Sequence, residues 1–400
     1  MKGAALAGLC CAVSLATSAH DFDLSVDLRA VSSRGQTSYL NGGLGKLRFD
    51  QTHDGLRLGS LRLAYRGDIT DSLHLTAEAF AYGDQDVNPL DLTELHLSWR
   101  PVPKSLWRTE LKLGAFYPAI SLENRMRGWR SPYSISFSAI NSWIGEELRT
   151  IGAEYNLDWL GQQSDSNFDL GFTAAVYGWN DPAGVVMAMR GWSLHDRQST
   201  LFGRVGRYGQ GVIDGRKLFY DDIDGRAGFY LGASARFRGL LEARLMHYDN
   251  RGDPAAEAPA IDDYAWRTRF DAFGLRYTPD EHWTAVWQYL RGSTAAGAPV
   301  PPNDWRFDSQ FLLLSWRHGR HRLTARYDDF SMQQRVSYFG ALNDDRGHAQ
   351  TYVWLYDINP RWSIALESLQ IDSDLHSRSW LGEPQIAHER QLQLALRYDL

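Results

Sequence analysis

Polar and apolar residues alternate along this chain with a period of two, and they do so up to its last residue. Leu392, Leu394, Leu396 and Tyr398 stand on one parity, with Gln391, Gln393, Arg397 and Asp399 on the other. Near the opposite end Phe22, Leu24, Val26 and Leu28 alternate with Asp23, Ser25, Asp27 and Arg29. This period is that of a strand with one face on an apolar phase and the other on water. Alternation and turn residues together predict sixteen strands. The first eight fall near 21–31, 44–66, 72–83, 90–100, 106–117, 147–156, 167–177 and 227–238. The rest fall near 240–249, 264–277, 282–292, 305–317, 321–331, 349–357, 361–371 and 388–400. Parity slips across 264–277, which predicts a bulge there. No segment reads convincingly as a helix.

Amphipathic strands at both ends imply closure, because an unpaired strand edge is not tolerated in a bilayer. The fold class expected is all-β: a transmembrane antiparallel β-barrel of sixteen strands. Tight connections, such as Arg238-Gly239, His318-Gly319-Arg320 and Asn359-Pro360, alternate with longer ones. Short turns in the periplasm and long loops outside are the usual asymmetry of such barrels. The even count puts both termini in the periplasm. A secreted soluble sandwich or propeller is the competing architecture, but no blade-length repeat is visible.

Composition sharpens this picture. Met1 and Lys2, the apolar run Ala4 to Leu15 and Ala16-Thr17-Ser18-Ala19 read as a secretory signal over 1–19, leaving a barrel over 20–400. Leu9 before Cys10 argues against a lipoprotein signal. Both cysteines lie in the signal, so thiolate chemistry and disulfides are excluded from the mature chain. A mean hydropathy of −0.40 suits a barrel, in which only alternate residues meet lipid. Fifteen Trp, 19 Tyr and 17 Phe suit aromatic girdles at the two interfaces. The net charge of −6, or −7 once Lys2 is removed, leaves no basic footprint for nucleic acid.

The third external loop, 118–146, carries Trp129, Trp143, Phe137 and several isoleucines. Such a loop is expected to pack against the barrel's inner wall. The passage Leu111-Lys112-Leu113-Gly114-Ala115-Phe116-Tyr117-Pro118, followed by Ser121-Leu122-Glu123, resembles the strand-into-loop passage of the phosphate-selective porins O and P. The chain is similar to them in length and strand pattern. The resemblance implies a homotrimer whose third loop folds inward to narrow the channel. It does not extend to a lysine cluster, since the mature chain has only Lys46, Lys104, Lys112 and Lys217.

The pore-constriction and solute-binding residues expected are Arg125, Arg127 and Arg130 of that loop, Arg62 and Arg66 on one polar strand face, and Glu123 as counter-charge. Acids facing arginines would set up a transverse field across the bore. The competing reading of the three loop arginines is a solvated or salt-bridged loop. Glu146, Glu147 and Arg149 are expected to pin the loop's return to the wall.

Enzymatic chemistry has one candidate, His96-Leu97-Ser98, but its parity points into the lumen and away from lipid. Asp221-Asp222-Ile223-Asp224-Gly225 lacks the full ligand spacing of a calcium loop. The chain is therefore expected to be no enzyme and to need no cofactor or metal. The function expected is passive diffusion of small hydrophilic solutes, anionic (phosphate-like) ones among them, across the outer membrane of a Gram-negative bacterium, amid lipid and lipopolysaccharide. The alternative is a non-conducting barrel that binds a partner through its external loops. The long fourth loop, 178–226 with Trp179, Trp192 and Phe202, speaks for that alternative.

Overall fold

A computed structural model of the chain describes residues 20–84, 90–206, 218–259, 263–297, 302–337 and 342–400; the expected signal lies outside them. Sixteen strands form a closed antiparallel barrel in sequence order. They are β1 (His20–Arg34), β2 (Gly55–Thr70), β3 (Leu73–Ala81), β4 (Leu90–Trp99), β5 (Trp107–Phe116), β6 (Thr150–Trp159), β7 (Phe168–Gly178) and β8 (Gly228–Phe237). Then come β9 (Leu241–Asp249), β10 (Arg267–Tyr277), β11 (Trp283–Ala296), β12 (Asn303–His318), β13 (His321–Val336), β14 (Asp345–Asp357), β15 (Trp362–Leu375) and β16 (Ile386–Asp399). The seam closes by pairing β1 with β16 from Ser25↔Asp399 to Arg34↔Arg390.

The apolar parity read from the sequence faces outward. Leu392, Leu394 and Leu396 are exposed, whereas Gln391 and Gln393 are buried. Outward Trp283 and Trp362, near the tight turns, pack on Trp316 and Tyr398 as one aromatic girdle.

Three expectations need correction. Residues 44–54 are not part of β2; Leu44, Leu47 and Phe49 belong to the first external loop and are buried. β10 starts at Arg267 rather than 264, and its register with both neighbours is continuous from Arg269 to Tyr277, so the expected bulge is not there. Its outward positions change from Arg267, Arg269 and Asp271 to Phe273, Leu275 and Tyr277 within one unbroken strand. Two α-helices occur among the described residues: α1 (Ala139–Glu147) and α2 (Val185–Arg190). Every residue of α1 is buried, so no polar face marks its period, although Ser138 caps it by accepting from Asn141 N.

Candidate functional site

The third loop runs from Tyr117 to Arg149, between β5 and β6. Its polar groups bond to inward-parity side chains right around the barrel. Leu122 N donates to Gln288 of β11 at 2.9 Å. Ala139 N donates to Asp328 of β13 at 3.0 Å, and Ile135 N to Glu367 of β15 at 2.6 Å. Gly274 of β10 leaves room for it, since a Cβ there would lie 2.7 Å from Leu122 Cδ1.

The three loop arginines separate. Arg125 donates to Glu242 of β9 at 2.7 Å. Arg127 pairs with Asp21 and Asp23 of β1 at 2.9 and 3.0 Å. Arg130 donates to Ser25 of β1 and to Asp399 of β16, both at 2.9 Å. In a ring of sixteen, β1 and β9 lie eight strands apart either way round. The expected single arginine filter is thus split between opposite walls.

Glu123 is not the counter-charge of these arginines. It is fully buried and pairs with Arg326 of β13 at 2.7 Å, while Ser138 N and Asn141 donate to its other oxygen. Arg326 also bonds Asp328 at 2.8 Å and the carbonyls of Ser136 and Phe137. This cluster anchors the loop. Arg62 is buried as well, paired with Asp23 at 2.7 Å beneath Gly128, whose φ of +68° and bare Cα let the loop approach. Arg66 reaches Glu78 at 3.0 Å and keeps 38% of its side chain exposed. Among the expected residues, Arg66, Arg125 and Arg127 therefore meet water, whereas Arg62, Arg130 and Glu123 are structural.

Glu146, Glu147 and Arg149 join the third loop to the fourth rather than to the wall. Glu146 pairs with Arg190 of α2. Burial works against its charge, but Arg190 and His195 outweigh that and hold its carboxyl at about 2. Glu147 accepts from Val186 N at 2.8 Å, and Arg149 donates to Ser199 O at 2.9 Å. The fourth loop also goes inward: Trp192 is wholly buried and donates to Ser331 O of β13 at 2.8 Å. Trp179 and Phe202 stay exposed. Asp196 of this loop is shared by Arg29 of β1 and Arg48 of the first loop. Burial raises its carboxyl's pKa, yet the two guanidiniums hold it far below the usual carboxylate range.

The first, third and fourth loops thus share one apolar cluster with inward residues such as Phe270, Phe307 and Phe330. One cavity beside Asp27, Arg130 and Asp196 measures only about 10 Å³, the room one water needs.

Toward the periplasmic turns the interior is polar and wet, and a feature emerges that the sequence reading missed. Arg236 of β8 and Arg276 of β10 are the register partners of Glu242 on β9. Arg244 and Arg125 take its oxygens at 2.9 and 2.7 Å, so Arg236 and Arg276 remain at 4.0 and 3.9 Å. Neither donates a hydrogen bond among the described residues. Arg317 and Arg322 continue this wall, with Asp357 at 3.4 Å from Arg317. Six arginines therefore face three acids on one side: Glu242, Asp357 and Asp169 of β7, the other register partner of Arg236. On the β1–β3 side Asp21, Asp23 and Glu78 are matched by Arg62, Arg66 and Arg127. Shared parity near successive tight turns was the available signal, but it needed the strand registers to become a cluster.

The chain matches no family model and no curated protein in sequence. Solved structures do resemble it. The outer membrane channel DcaP of Acinetobacter baumannii aligns with a TM-score of 0.56 at 11% identity, over 96% of this chain and 97% of that one. An anion-selective porin from Comamonas acidovorans gives 0.54 at 13%, over 96% and 100%. OmpT, an outer membrane protein of Vibrio cholerae in its trimer form, gives 0.53 at 11%, over 96% and 100%. Closure, strand number and these likenesses together identify the fold as that of the sixteen-stranded outer-membrane porins.

Proposed function

We propose that this chain is an outer-membrane channel for small hydrophilic solutes, with a preference for anions, working as a homotrimer. The observation that carries the reading is the excess of Arg125, Arg236, Arg244, Arg276, Arg317 and Arg322 over Glu242, Asp357 and Asp169 on this wall. Two of these arginines have no close acceptor, and Arg236 keeps 45% of its side chain exposed. Such a wall raises the local concentration of anions at the periplasmic mouth and repels cations. The trimer is supported by the family resemblance and by the trimeric form of the V. cholerae protein.

The filled external half supports the second reading, a barrel that does not conduct at rest. Arg29, Arg326 and Glu367 are all inward and covered, where an open pore would wet them. The two readings meet in a channel that conducts only when its loops shift. The test is single-channel recording of the refolded protein, with the reversal potential read in a salt gradient. Anion preference reduced by Arg236→Gln with Arg276→Gln supports the reading. Cation preference would sink the arginine wall, and a properly inserted barrel that never conducts would favour the closed one.

A further inference from the structure

We propose that the external end of the β1–β16 seam binds the phosphates of lipopolysaccharide through Arg34 and Arg390. The inference concerns the outer wall and rests on the membrane placement of the barrel, not on conduction. Arg34 and Arg390 are direct register partners, and both are exposed on the outward parity. Like charges directly opposite each other across a strand pair destabilise it. Neither has an ion pair or hydrogen bond to an acid among the described residues. The remaining cross-strand neighbour of Arg390 is Gln370, which is uncharged. The outward acid diagonal to Arg390 in the register, Asp372, is already taken by His388 at 2.6 Å and lies 3.4 Å from His348.

Position decides the partner. Outward Leu392, Leu394, Leu396 and Tyr398 form the apolar belt of β16, about 20 Å along the strand. Arg390 is the first outward residue beyond that belt, at the end away from the tight turns. Counted from exposed Leu400, where the belt begins, Arg390 lies about 34 Å along the strand, or about 26 Å of height at a tilt of about 40°. That height matches the apolar band of such barrels and puts Arg390 level with the outer-leaflet phosphates. In an outer membrane those phosphates belong to lipopolysaccharide, whose glucosamine phosphates match paired guanidiniums. A bound phosphate would turn the opposed pair from repulsive to bridged.

The test uses the delipidated full-length barrel in neutral detergent, titrated with rough-form lipopolysaccharide and followed by native mass spectrometry and thermal unfolding. Arg34→Gln with Arg390→Gln is expected to weaken binding by about tenfold or more. The same double variant, without lipopolysaccharide, should be at least as stable as the parent because the repulsion is gone. Arg346→Gln, whose parent side chain already pairs with Asp374 at 2.9 Å, is the control expected to bind nearly as well as the parent. Unchanged affinity in the double variant would overturn the proposal. So would equal stabilisation by phosphatidylglycerol, which would mean a generic anionic surface. Loss of oligomer in the double variant without lipid would also overturn it, by assigning these arginines to a contact between copies.

Discussion

Replacing Arg326 with Met removes the cation that bridges two buried carboxylates of the third-loop anchor. Arg326 holds Glu123 at 2.7 Å and Asp328 at 2.8 Å, and all three side chains are wholly inaccessible. It also satisfies the carbonyls of Ser136 and Phe137 just before α1. Breaking one partner out of a buried ion cluster costs about 3–5 kcal/mol, because the remaining charges stay desolvated. That corresponds to a factor of roughly 10² to 10³ or more in the folded-to-unfolded ratio. Urea unfolding in detergent, followed by tryptophan fluorescence, should therefore show a clearly lower midpoint. The triple variant Glu123→Gln, Arg326→Met, Asp328→Asn should regain much of the loss, since it neutralises both carboxylates that pair directly with Arg326 and leaves only Glu367, which keeps its hydrogen bonds from Ile135 N and Ser136. A single variant within about 1 kcal/mol of the parent, or a triple variant weaker than the single, would refute this account of how the loop is held.

Two further outcomes follow from the loop contacts. Glu146 has its carboxyl lowered from 4.5 to about 2 in the folded protein, so its contribution to stability is present above 4.5. That contribution is lost as pH falls from about 4.5 toward 2, and Glu146→Gln should flatten this part of an acid-unfolding curve. Leu47 and Leu194 form a β-bridge between the first and fourth loops. Because the mature chain is expected to lack cysteine, Leu47→Cys with Leu194→Cys can form one defined disulfide. Oxidation should lower the open probability in single-channel records and reductant should restore it; identical records in both states would show that these loops need not part.

The sequence by itself determined the barrel. A period of two, sustained from Phe22 to Tyr398, needs a lipid phase outside and a closed seam, and tight turns alternating with long loops set the topology. It also marked the third loop as apolar enough to go inward. It could not follow a strand past the membrane. On β13 Leu323 and Tyr327 face lipid while Thr324 and Arg326 face in; farther along, Asp329 and Ser331 face out while Phe330 and Met332 face in. The facing of each parity is unchanged, but polar and apolar residues exchange parities where the outside turns from lipid to water and the inside turns from water to packed loops. The same exchange on β10 reads as a bulge in one dimension. Pairing was likewise a tertiary matter. Glu123 met Arg326 rather than its neighbours Arg125 and Arg127, and Arg236 and Arg276 met across Glu242, because charges in a barrel find partners around the ring, through registers and loop paths that lie far apart along the chain.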